Sequence, residues 1–187
     1  MANNKRKRKV LVVEIKLPKD IQAQLDKGTL TLKGPKGEVK RDFLVKSIGI
    51  EHKEDTITLK AAKFNQVNKK LIKSSTAHIK NMIRGCSEGH KYTIKICSGH
   101  FPMNVSVSNN QLIVKNFLVE KVPRILDLKP GATVKVEGDL IVVESSNKEA
   151  AGQVSGAIEL LTRRTGYDGR IFQDGLWIVT KDNKEVG

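Results

Sequence analysis

The chain has 187 residues, 39% of them apolar, with 34 Lys and Arg against 20 Asp and Glu for a formal net charge of +14. That length suits one medium domain or two small ones, no apolar run reaches the roughly 18–20 residues that span a bilayer, and the basic balance points to a polyanionic partner. Two cysteines, Cys86 and Cys97, are too few for a disulfide framework and suit a reducing compartment.

The chain opens with Lys5, Arg6, Lys7, Arg8 and Lys9, a run that cannot pack and reads as a basic arm over residues 1–9. The apolar stretch behind it is broken at Glu14 and Lys16 and is followed by no small-residue cleavage site, so a soluble protein retained where it is made is expected. From Val10 the pattern alternates and turns often. Strands are predicted over Val10–Lys16, Thr29–Lys33, Glu38–Phe43 and Thr56–Lys60. They are followed by Tyr92–Cys97, Gln111–Lys115, Thr133–Glu137 and Leu140–Val143. Lys33–Glu38 ("KGPKGE") and Glu137–Asp139 ("EGD") read as hairpin turns.

Two segments change to helical period. Over Asn65–Arg84, Val67, Leu71, Ser75, His78 and Met82 share a face with Ile72, Ile79 and Ile83 beside it. Lys69, Lys73, Lys80 and Arg84 form the opposite, basic face. Over Lys148–Thr162 the apolar face is Ala150, Ala151, Val154, Ala157, Ile158 and Leu161, and Gly152, Ser155 and Gly156 form a small outer face. Each helix needs a sheet to bury its stripe, because an isolated helix of this length is marginal.

The two halves repeat one pattern. A shift of about 82–83 residues lays Leu30 on Leu112, Leu32 on Val114, Ile57 on Leu140, Leu59 on Val142, Val67 on Ala150 and Leu71 on Val154. The expected architecture is therefore α+β: two tandem domains, each a small antiparallel sheet packed by one helix, over residues 10–88 and 89–181, with a tail over 182–187.

Charge is divided unevenly between them. Residues 1–95 hold 23 Lys and Arg against nine Asp and Glu, whereas residues 96–187 hold 11 of each. Only Glu88 is acidic between Thr56 and Tyr92, so pairing along the first helix cannot neutralise its ridge, which favours phosphate contact over a merely solvated face. The turn "KGPKGEVKR" adds Lys33, Lys36, Lys40 and Arg41 beside glycines, a reading shared evenly between turn chemistry and RNA contact. His78 reads as a satisfied, partly buried imidazole.

The aromatics tell a different story. In a chain with one Trp, two Tyr and five Phe, Tyr167, Phe172 and Trp177 fall together in "TRRTGYDGRIFQDGLW" among Arg163, Arg164 and Arg170. Asp174-Gly175 is a two-residue hairpin signal that would set Phe172 across from Trp177 as a packed pair. On that reading the rings close a core, and the arginines on the preceding Gly-containing turn reach phosphates with their planar forks.

No phosphate-loop, dinucleotide, zinc-protease or nucleophile-elbow signature occurs, so neither catalysis nor a cofactor is expected. Cys86, His90, Cys97 and His100 have the residue types of a zinc site. The strand expected between them would hold its ends apart, which favours an ordinary connector.

Several longer phrases occur in order: "LKGPKGEVKRDF", "AHIKNMIRGCSEGHKYTIKI", "GHFPMNV", "VKNFLVEKVPR", "KPGATVKVEGD", "NKEAAGQ" and "GRIFQDGLWIV". Together they resemble the universal large-subunit ribosomal protein L-six family, the archaeal and eukaryotic branch, whose eukaryotic member is called L-nine. The resemblance runs from about Val10 to Lys181. His90 stands where the family usually has an aromatic after "EG", and Val119 where Gly usually follows "NFL".

The resemblance implies a structural constituent of the cytoplasmic ribosome that binds large-subunit rRNA near the sarcin–ricin region. Other ribosomal proteins and translation-factor GTPases would be its neighbours, with no membrane and no small-molecule substrate. It also implies that a late loop of the second domain contacts rRNA through Arg163, Arg164, Tyr167, Asp168, Gly169, Arg170, Phe172, Gln173, Asp174 and Gly175. The arm and the basic helix would supply non-specific attraction, and the late loop would register the protein. The alternative is a free structured-RNA-binding module, a chaperone or regulator, which would sediment as a small species.

Overall fold

A computed structural model describes residues 11–43, 47–53, 55–61 and 63–186. The chain divides into two compact units, Met1–Glu88 and Gly89–Gly187. In the first, the strands are β1 (Leu11–Lys16), β2 (Gln22–Asp26), β3 (Thr29–Gly34), β4 (Gly37–Asp42), β5 (Ile48–Lys53) and β6 (Thr56–Ala61), followed by helix α1 (Gln66–Ser87). They form two three-stranded antiparallel sheets, ordered β1-β6-β5 and β2-β3-β4. Helix α1 packs on β3, β4, β6 and β1, over a core that includes Leu30, Leu32, Ile57, Leu59, Ile72 and Ile79.

The second unit repeats this plan with β7 (His90–Cys97), β8 (Asn104–Ser108), β9 (Gln111–Lys115), β10 (Arg124–Asp127), β11 (Thr133–Glu137), β12 (Leu140–Ser145) and α2 (Lys148–Leu161). It then adds β13 (Gly175–Lys181) and β14 (Lys184–Glu185). The sheets are β10-β9-β8 and β11-β12-β7-β13-β14, so β13 fills the side of β7 that faces away from β12. Ile94, Leu112, Ile141, Val154, Ile158 and Leu176 belong to the buried core.

The repeat is therefore present, with one correction. In the helices the offset of 83 holds for the buried pairs Asn68/Ala151, Ile72/Ser155 and Ser75/Ile158. In the strands Ile57 matches Ile141 and Leu59 matches Val143, an offset of 84, because Leu140 is 40% exposed at its turn. A one-residue slip exchanges the faces of a strand, so burial decides the register.

Helix α1 is also rotated from the expected face. Val67 is 62% exposed, and Asn68 is buried in its place, its Nδ2 donating to the Lys63 carbonyl (2.8 Å). Asn65 caps the helix, accepting from the Asn68 amide at 2.7 Å, and Asn147 caps α2 through the Glu149 amide at 2.9 Å. Ser155 is buried rather than on an outer face, and a Cβ at Gly152 would meet the Tyr92 ring at 3.8 Å. Small residues here let α2 approach its sheet.

Both expected hairpins form, β3–β4 and β11–β12. Gly34 is fixed by packing: a Cβ there would lie 2.6 Å from the Cys86 carbonyl oxygen. Strands β2, β5, β8, β10, β13 and β14 have no counterpart among the predicted elements. The segment from 182 is no trailing tail, since Asp182 is buried, its carboxylate accepting from His90 Nδ1 at 2.9 Å, and β14 pairs with β13.

Candidate nucleic-acid interface

The segment between α2 and β13 is tied at both ends. Thr162 caps α2 and is buried. Its Oγ1 donates to the Glu159 carbonyl (3.3 Å) and accepts from the Leu176 amide (2.9 Å), so one hydroxyl joins the helix end to the start of β13. Glu159 Oε1 accepts from the Ile178 amide at 3.3 Å. Gly175 has φ +156 and passes so close that a Cβ would meet Thr162 Oγ1 at 3.3 Å.

Asp174 supplies a further latch. It is buried, accepts the His100 amide at 2.9 Å, and its second oxygen takes the His100 ring Nδ1. The backbone then enters β13 directly, pairing Gly175 with Cys97. The expected hairpin at Asp174-Gly175 therefore does not form, because the aspartate side chain is committed to the 99–100 backbone. Trp177 is not core. It lies on β13 between the buried Leu176 and the inward Ile178, so strand alternation turns it out, 47% exposed. Its Nε1 donates to the Gln173 carbonyl at 2.9 Å, which places the indole against the loop.

Within the loop, Asp168 builds the turn. Its carbonyl accepts from the amides of Ile171 (3.1 Å) and Phe172 (2.9 Å), and its Oδ1 from the Arg170 amide (2.9 Å). Gly166 has φ +81, a conformation that favours glycine. The rings then meet in series. Phe172 stacks on His100 (centroids 5.3 Å) and takes the edge of Tyr167 (5.2 Å, 88°). The guanidinium of Arg164 lies 4.2 Å from the Tyr167 centroid and 5.5 Å from that of Phe117. Arg124 covers Phe117 at 4.5 Å and donates to the Leu161 carbonyl at 2.6 Å. The result is an open cleft of about 440 Å³ whose walls include Arg163, Arg164, Tyr167, Phe172 and Trp177.

The three arginines of this loop are not equivalent. Arg163 is exposed and makes no ion pair among the described residues. Arg164 reaches Glu120 at 3.6 Å. Arg170, its side chain 91% exposed, forks onto Asp168 through Nε (3.1 Å) and Nη2 (2.8 Å). That hydrogen bond holds the Asp168 carboxyl below the usual carboxylate range. The Arg124 hydrogen bond does the same for Glu120, against a smaller opposing effect of burial. For Asp174 burial pushes upward, but the His100 amide and ring and the Gly99 amide together hold it low. These carboxylates stay ionised and keep the cationic and aromatic groups in place.

Of the expected loop residues, Arg163, Arg164, Tyr167, Asp168, Gly169, Arg170, Phe172 and Gln173 come together at the surface. Asp174 and Gly175 are buried and act as anchors. Sequence reasoning missed Thr162, His100 and Trp177 as parts of this arrangement. The Trp was visible as a rare aromatic, but only the alternation of β13 fixes its outward direction.

Elsewhere, Lys69, Lys73 and Lys80 are exposed along α1. Arg84 differs: Glu88, four residues on, accepts from its Nε at 3.2 Å. Lys33 and Lys40 both pair with Glu38 (3.4 and 3.0 Å), and Arg41 Nη2 contacts His78 Nε2 at 3.3 Å. Lys5, Arg6, Lys7, Arg8 and Lys9 lie outside the described residues. Three of the four Cys and His of zinc-ligand type have separate partners: Cys86 Sγ contacts the Leu32 carbonyl at 3.4 Å, while His90 serves Asp182 and His100 serves Asp174. Among the described residues no helix is long and apolar enough to cross a membrane.

Comparison with known proteins agrees with this architecture. The family model for Ribosomal protein L6 matches twice, over residues 17–89 and 101–175, one match in each unit. Large ribosomal subunit protein uL6 of Methanosarcina mazei is 40% identical over 167 residues, 89% of this chain and 95% of that protein. The proteins of the same name from Saccharolobus solfataricus and Methanobrevibacter smithii are 38% and 35% identical, covering 92% and 90% of this chain and 96% and 95% of their own lengths. With matches in both units and over most of its length, this chain belongs to the ribosomal protein L6 family.

Proposed function

We propose that the chain is a structural constituent of the large ribosomal subunit, binding large-subunit rRNA near the sarcin–ricin region, where translation-factor GTPases dock. The observation that carries the RNA-contact reading is the loop over 163–173: exposed arginines and aromatic faces on a segment latched at both ends by Thr162 and Asp174. A preformed surface loses less entropy on binding than a loop that must first order. Structured RNA is read by shape, phosphates and exposed base faces, and this loop offers partners for each. Arg163 supplies a cation with no ion-pair partner among the described residues, and Arg170 a fork already oriented by Asp168. Lys69, Lys73 and Lys80, with the arm over residues 1–9, add attraction that does not depend on sequence.

The test compares binding to a large-subunit rRNA fragment carrying the sarcin–ricin region with binding to random duplex. Arg163→Ala, Arg164→Ala and Arg170→Ala combined should weaken the rRNA fragment by at least tenfold and random duplex much less. Equal weakening of both would remove the registering role of the loop. Deleting residues 1–9 should weaken both RNAs alike and lower the salt slope by roughly 0.9 for each lost phosphate contact. Co-sedimentation with the large subunit at moderate salt separates this role from that of a free RNA-binding module.

A further inference from the structure

Strands β1 and β7 hold equivalent places in their units. Each pairs on one side with the strand that precedes its helix, Ile15 opposite Ile57 and Ile94 opposite Ile141. On the other side β7 has β13, with Leu176 opposite Ile96 and Ile178 opposite Ile94. Among the described residues nothing pairs with the corresponding edge of β1. A row of unpaired backbone amides and carbonyls is a template for another strand.

Beside that edge runs a groove of about 480 Å³ between β1 and α1. Val13, Ile15, Pro18, Thr76 and Ile83 supply its uncharged walls. Lys16, Lys80 and Arg84 stand on its rim with Glu14 and Glu88, and Glu88 already holds Arg84. In the second unit the matching space is occupied by Leu176 and Ile178. The helix offset of 83 even sets Thr76 in the place of Glu159, the residue that accepts the Ile178 amide there. The first unit is thus the same scaffold with one strand missing.

We propose that the β1 edge takes up an extended segment of another protein as an added antiparallel strand. Its alternate apolar side chains lie in the groove beside Val13 and Ile15, and a carboxylate faces Lys80. The partner is chosen by charge and by shape. The arm over residues 1–9 carries the same sign as Lys16 and Lys80, and a second copy would set those cations against each other. A phosphate backbone gains nothing from Val13, Ile15 and Ile83, whereas a strand uses both the apolar groove and the free backbone groups. Glu14 and Lys16, exposed charged residues of β1 beside the groove, keep this edge from unselective pairing.

The inference goes beyond rRNA binding and does not depend on the loop over 163–173. The probe is a fluorescein-labelled peptide, Asp-Gly-Leu-Glu-Ile-Glu-Glu, which keeps the Leu and Ile spacing of β13 and adds carboxylates. With the full chain, saturable anisotropy and slowed amide exchange across Val12–Lys16 are expected. Methylating the peptide's amide nitrogens should weaken binding at least tenfold, and Lys80→Glu, at an exposed position, several-fold. Equal binding by the methylated peptide, or no protection of β1 at millimolar peptide, would overturn the proposal. Protection of the same amides by duplex RNA in place of the peptide would also overturn it, leaving the groove an RNA surface.

Discussion

The two units share one plan and spend it differently. The first carries the positive excess, 23 Lys and Arg against nine acids up to residue 95, and leaves β1 open among the described residues. The second is neutral from residue 96, closes its sheet with β13 and raises a latched loop between α2 and that strand. The contrast separates two properties that a total charge merges. Long-range attraction needs many cations, whereas a registered contact needs a few groups held still. The neutral unit carries the more organised surface.

The sharpest way to break this contrast is to damage one unit alone. Gly34→Ala would drive a Cβ into the Cys86 backbone, which cannot yield as a flexible side chain would. A loss of about 3 kcal/mol is expected, confined to the first unit. Urea unfolding followed by amide exchange should show α1 and β3 opening while β7 and β12 keep their protection. Equal loss in both would mean that the units unfold as one.

Asp174→Asn addresses the other unit and should cost about 2 kcal/mol by weakening the His100 latch. The first readout is faster amide exchange over residues 163–173. The second is pH. Because Asp174 lies below its ordinary range when folded, its contribution is full above the unfolded value of about 4 and is lost as pH falls through the lower folded value. Wild-type stability of the second unit should therefore decline on acidification below about pH 4, and the variant should decline less.

Smaller effects sharpen the comparison further. Val119→Gly should stabilise the second unit by about 1 kcal/mol, since Val119 has φ +63, where a β-branched residue is strained. A rise of a few degrees in thermal midpoint is the measurement, and no rise would show that the turn relaxes without strain. Asn65→Ala and Asn147→Ala each remove a helix cap and should cost about 1 kcal/mol, each in its own unit.

The repeat was legible because buried positions must recur wherever the fold recurs. Leu30/Leu112 and Leu32/Val114 are buried in both copies. The helices were legible to within a few residues for the same reason. Three of the strands absent from the sequence pattern bury little. Strand β2 has no fully buried residue, and β8 and β10 have none either. They are held by backbone pairing to β3 and β9, which leaves little trace in composition. In the loop the residue types were readable and their roles only partly so. Asp174-Gly175 has the chemistry of a hairpin turn, and a histidine 74 residues away in sequence claims the aspartate instead. No local pattern reports so distant a partner.

The position of β13 also sets an order of events during synthesis. Strand β1 finds β6 within some fifty residues, Leu11 against Ala61, so the first unit has all its pairing partners by the time α1 is made. Strand β7 is flanked by β12 and β13, and His90 is joined to Asp182 across 92 residues. Closing so long a loop is slow. Until β13 emerges, β7 presents an open apolar edge of the kind that β1 keeps in the finished fold. The second unit thus has to wait, and the loop that carries the proposed RNA contact is among the last parts to be fixed.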